Sequence, residues 1–94
     1  MKSKKLIEIG DYTVELLLPP ALNNINVYWR KGAKTWNIAE LLKFYSDNSG
    51  HKYYSESYFD VRPNGHNKIY CVGFYNHCEI DLDSQTIIRI VNNR

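Results

Sequence analysis

KIYCVGFYNHCEIDLDSQTIIRIV, residues 68–91, decides the fold. Tyr70, Val72 and Phe74 alternate with Ile69, Cys71 and Gly73, so both faces of this run are apolar. Cys78, Ile80 and Leu82 then alternate with Glu79 and Asp81. A period of two belongs to strands, not to a helix. Asn76 and His77 read as a tight turn between the first two runs, and Asp83, Ser84 and Gln85 as a turn before residues 86–91. An odd-length final loop pairs Ile80 with Ile88 and keeps Cys78, Ile80, Leu82, Ile88 and Ile90 on one face. An even loop would point Arg89 into that face, because a slip of one residue turns every side chain over.

Outward from this block, Pro63, Asn64 and Gly65 form a turn signal, preceded by the strand-rich residues 53–61. Further back lies the one helix. Ile38, Leu41, Leu42 and Tyr45 fall on a single helical face. Asn37 is suited to the N-cap, and Glu40 stands three residues on, as a capping box requires. Trp36 precedes the cap and can pack on Leu41. The polar run from Ser46 to Gly50 ends the helix. At the start of the chain, Gly10 and Asp11 join residues 6–9 to Tyr12–Leu18 as a hairpin. Ile25, Val27 and Trp29 alternate against Asn26, Tyr28 and Arg30 as a third strand.

The expected architecture is α+β, in the order ββ(β)αββββ. It is a curved antiparallel sheet of about six to seven strands with one amphipathic helix packed on one face. The apolar set Leu17, Tyr70, Val72, Phe74, Ile87 and Val91 falls on the other parity. One helix cannot cover both faces, so the sheet curls on itself or meets another molecule. A single domain over residues 1–94 suits the length.

Composition narrows the function classes. Hydrophobic residues make up 44% and charged residues 23%, a globular balance. The formal charge is only +2, too small to demand a nucleic-acid partner. No apolar run approaches the ~20 residues that span a bilayer, and charge interrupts the segment after the basic start, so no signal peptide is read. The expectation is a cytoplasmic protein without membrane contact.

Few residues suggest chemistry. With a turn at Asn76 and His77, Cys71 pairs with Leu82, and Cys71 and Cys78 stand four positions apart along the ladder. At ~3.4 Å per residue that separation exceeds about 10 Å. It excludes a disulfide or a shared zinc site and predicts two reduced thiols. His51, His66 and His77 fall in turns or at strand starts without a specific partner spacing. No catalytic residue, metal site or cofactor is assigned.

What remains is a surface. Eight tyrosines, and a second apolar face on Tyr70, Val72 and Phe74 beside the carboxylates Glu79 and Asp81, suit a protein interface. The expected function is a non-enzymatic protein-binding module, with a protein partner or a second copy as its occupant. A bacterial or phage toxin-immunity protein or inhibitor would have this size. The alternative is a single-stranded nucleic-acid binder or a small metal-independent ribonuclease toxin. Its contact surface would be Tyr28, Arg30, Lys31, Lys52, Tyr53 and Tyr54, with His51 or His66 as acid or base.

Overall fold

The computed structural model describes residues 3–29, 35–49 and 56–92. Among the described residues eight strands and one helix follow one another as β1 (Ser3–Ile9), β2 (Tyr12–Leu18), β3 (Ile25–Trp29), β4 (Thr35–Asn37), α1 (Ile38–Ser49), β5 (Tyr58–Pro63), β6 (Lys68–Gly73), β7 (Asn76–Asp81) and β8 (Thr86–Asn92). The class is α+β, but the strands do not form one curved sheet. They form two antiparallel sheets of four, ordered β1-β2-β3-β4 and β5-β6-β7-β8. The helix interrupts the chain between β4 and β5, so each half becomes its own meander. The two inner faces then cover each other, as in sheet-on-sheet packing.

The alternation on β2 does what its parity predicts. Val14 and Leu16 are buried, with Tyr12 and Leu18 packed against the same core. Ile25 and Val27 join them from β3 and Trp36 from β4. The second sheet contributes Tyr58, Val61, Ile69, Cys71, Cys78, Ile80 and Ile87. Ile38, Leu41 and Leu42 of α1 complete one cluster fed by both sheets. The helix begins as expected: Asn37 Oδ1 accepts the Ala39 N–H at 2.8 Å, and Glu40 Oε2 accepts the Asn37 N–H at 2.9 Å. Asn24, only 3% exposed, clamps the two sheets together. Its Nδ2 donates to Leu17 O and Tyr58 O, both at 2.8 Å, and its Oδ1 accepts the Tyr58 N–H at 2.9 Å.

Two registers differ from expectation. The β6–β7 turn is Phe74 and Tyr75, not Asn76 and His77, so Cys71 stands directly opposite Cys78 and Val72 opposite His77. The calculated separation of the two cysteines is therefore wrong, although both remain free and buried. The cause lies at Glu56, a buried side chain whose Oε1 accepts the N–H groups of Tyr75 at 2.8 Å and Asn76 at 2.7 Å. These bonds draw Asn76 inward and leave the two aromatic residues at the tip.

The second difference is in β8. Cys78 faces Ile90, in the expected register, but a bulge shifts the ladder so that Ile80 faces Ile87. Ile87 is buried and Ile88 is 48% exposed. A bulge inserts one unpaired residue, and here it lets Ile87 and Ile90 both point inward while Arg89 stays outside. A similar shift at Phe59 lets both Tyr58 and Val61 of β5 face the core.

Candidate functional site

The outer face of the second sheet gathers the residues predicted for an interface. Asp60, Val72, His77 and Val91 lie opposite one another across the four strands, and Arg62, Tyr70, Glu79 and Arg89 form the next row. Tyr70 and Val72 are half-buried on this face. The Tyr70 ring leans on the His77 imidazole, with centroids 5.1 Å apart.

Most of the charges on this face are matched. Glu79 Oε1 accepts from Arg89 Nη2 at 2.9 Å and Nε at 3.1 Å. Asp60 meets Lys5 Nζ at 2.9 Å and Arg62 Nε at 2.7 Å. The Lys5 ammonium, then the Arg62 guanidinium, hold the Asp60 carboxyl below its ordinary range. Asp81 acts within its own turn, where its Oδ1 accepts the N–H groups of Asp83 at 3.0 Å and Ser84 at 3.4 Å and so shapes the approach to β8. Glu79 and Asp81 therefore share the face with Tyr70 and Val72, but each carboxylate already has protein donors.

The apolar part of the face is concentrated at the β6–β7 turn. Phe74 is 58% exposed and Tyr75 79%. Phe59, raised by the β5 bulge, packs its ring 5.4 Å from that of Phe74. Turn tips favour Gly, Asn, Asp, Ser and Pro, so two large aromatic rings here are unusual. The backbone that carries them is held firmly. Glu56, 1% exposed, binds the Tyr75 and Asn76 amides with one oxygen and the Ser57 N–H at 3.0 Å with the other. Gly73 lies flat on Glu56; a Cβ there would collide with Glu56 Cγ. Phe59 and Tyr75 did not stand out in the sequence, and Glu56 was read only as part of the strand-rich residues 53–61.

Of the alternative surface, Tyr28 lies on β3, where its hydroxyl donates to Glu15 Oε1 at 2.9 Å. Glu15 also accepts from Asn26 Nδ2 at 3.1 Å and pairs with Lys4 at 3.6 Å. Arg30, Lys31, Lys52, Tyr53 and Tyr54, and with them His51, lie outside the described residues. His66 is exposed in the β5–β6 turn. Among the described residues no group of three or more His, Cys, Asp or Glu side chains could hold a metal ion, and no helix is long and apolar enough to cross a membrane.

The chain matches no family model, no curated protein and no solved structure.

Proposed function

We propose that the protein is a non-enzymatic protein-binding module, and that its contact surface is the outer face of the second sheet, anchored by Phe74 and Tyr75. The observation that carries this reading is the turn tip itself. A buried carboxyl is committed to holding the backbone of a turn that presents two exposed aromatic side chains. Binding energy concentrates in a few preorganised aromatic anchors surrounded by neutral contacts, and here the surrounding ring is Val72, Val91, Phe59 and the matched pair Glu79–Arg89. Internally matched charges cost less to cover with a partner than an unmatched charge does. The size of the chain fits a stoichiometric binder of the immunity-protein or inhibitor kind, and a second copy is the simplest partner.

Phe74→Asp combined with Tyr75→Asp tests the proposal. Both residues are exposed, so the variant should melt close to wild type. Sedimentation of wild type and variant reads self-association. Affinity capture from the native host, followed by calorimetry with the purified partner, reads hetero-association. The expected result is an assembly formed by wild type and weakened at least tenfold in the variant. A wild type that stays monomeric, together with captured proteins that bind the variant equally well, would refute the assignment of this face.

A further inference from the structure

At the opposite end of β7 from the aromatic tip, the described residues of the two sheets leave a cavity between them. Tyr12 and Trp29 face each other across β2 and β3, one step beyond the buried Val14–Val27 pair. Trp36 stands opposite Val27 on the other side of β3. From the second sheet, Asp83 and Gln85 of the β7–β8 loop close the far wall. Among the described residues, these five line a cavity of about 190 Å³.

We infer that this cavity is a binding site for an organic cation, a quaternary ammonium group held between the aromatic rings and the Asp83 carboxylate.

The carboxylate is fixed in place by neutral donors. Asn67 Nδ2 donates to both Asp83 oxygens, at 3.1 and 3.0 Å, and the Tyr12 hydroxyl donates to Oδ1 at 2.9 Å. Asn67 is 3% exposed and is itself tied down. Its Oδ1 accepts the Asp11 N–H at 3.2 Å, and its backbone carbonyl accepts the Leu82 N–H at 2.8 Å. It also lies so close to Gly10, at φ +59°, that any side chain there would collide with it. Three turns are thus locked around one anion. Among the described residues no Lys or Arg pairs with Asp83; the Asn67 and Tyr12 hydrogen bonds, and then the charge of His66, hold its carboxyl below the ordinary range.

Among the described residues, the charges that act on Tyr12 are carboxylates. Burial, then the hydrogen bond and charge of Asp83, push the Tyr12 phenol up to about 12, with Asp11 and Asp81 adding to the effect. Aromatic faces attract cations through their quadrupole, most strongly at Trp, and quaternary ammonium groups are the usual guests of such walls. A primary ammonium or a sodium ion would exchange several tightly held waters for little more than the Asp83 carboxylate, since the indole and phenol rings cannot replace them. A tetraalkylammonium has no N–H to satisfy and gives up little hydration. The cavity is also below the ~300 Å³ typical of drug-sized pockets, which fits a headgroup and not a larger molecule.

Trp29 and Trp36 are the chain's two tryptophans, so indole fluorescence reads this site alone. Titration of the full chain with tetramethylammonium chloride should give a saturable change with a Kd on the order of 1–10 mM, the range expected for a few cation–π contacts and one carboxylate. Neopentyl alcohol, the neutral molecule of similar shape, and sodium chloride at matched ionic strength should give no saturable change. Asp83→Asn should weaken binding at least tenfold. Should that variant fail to fold, Trp29→Ala decides instead: Trp29 is 41% exposed, and line broadening of the tetramethylammonium methyl signal by the folded variant should fall away. Equal saturation by neopentyl alcohol, no saturable response to the cation up to about 100 mM, or undiminished binding by the folded variant used would each overturn the inference.

Discussion

Replacing Glu56 by Ala removes one buried side chain and orphans three backbone donors at once. Two of them, the Ser57 and Tyr75 N–H groups, are part-buried, and the Asn76 N–H is buried. A buried donor left without a partner costs ~1–3 kcal/mol, with the lower end for groups water can reach. The sum is about 3–5 kcal/mol, a large share of the roughly 5–14 kcal/mol expected for a chain of this length. Glu56→Gln keeps one acceptor oxygen for Tyr75 and Asn76 but turns an amide donor toward the Ser57 N–H, so it should cost only about 1–2 kcal/mol. Gly73 supplies an internal check. Gly73→Ala alone drives a methyl group into Glu56, whereas in the Glu56→Ala background the space is vacant. The two changes should therefore couple by at least ~1 kcal/mol in a double-mutant cycle. Urea unfolding gives the free energies, and amide hydrogen exchange at Tyr75 and Asn76 reports the turn directly. A Glu56→Ala variant that loses less than about 1 kcal/mol and leaves both amides protected would refute the account of the turn.

Other outcomes follow from single contacts. Asn37→Ala should cost about 2–3 kcal/mol, more than the ~1 kcal/mol of a bare N-cap, because Asn37 Nδ2 also donates to Asn23 O and Asn26 Oδ1, both at 2.9 Å; a thermal melt of Asn37→Ser beside it separates cap from bridge. Leu42→Ala, at a position 1% exposed, should cost about 2–5 kcal/mol by the same melts. Cys71 and Cys78 should resist iodoacetamide in the folded protein and react after unfolding, read by intact mass, since both are buried and burial pushes the Cys71 thiol well above its ordinary value. The Tyr12 phenol, raised from 10.0 to about 12, favours the folded state fully below pH 10.0, and this contribution is lost as pH rises through about 12. Asp83→Asn should lower that titration point only in part, because burial is the larger cause; NMR titration of the ring measures it.

The elements that could be read from the sequence are those whose causes are local. The face of Ile38, Leu41 and Leu42 and the Asn37–Glu40 box need only the neighbouring turn of helix, and both stand as expected. The parity of Tyr70 and Val72 likewise placed them on the outer face. The β6–β7 turn was not legible, because its position depends on Glu56, which is remote in sequence and lies in a run with no period. The error carried over to the cysteines, whose register follows from that turn. Bulges hid the rest: Phe59 reaches the aromatic tip, and Ile87 takes the place expected for Ile88, through single extra residues that leave no trace in a period-two pattern. The division into two sheets is a tertiary choice. Each half has an apolar face, and the strand pattern alone does not say whether the faces meet within one curved sheet or between two.

The two bulges lie on β5 and β8, the outermost strands of the second sheet. A straight border strand offers its free amides and carbonyls as a template for the next chain, which is how many sheet proteins begin to polymerise. A bulge bends that border and breaks its spacing. On the first sheet, β1 carries Lys4 and Lys5 along its margin, with Lys5 reaching across to Asp60, and β4 turns at once into the helix. With its borders bent, charged or cut short, a chain rich in tyrosine and isoleucine is guarded against stacking into fibres through its strand margins.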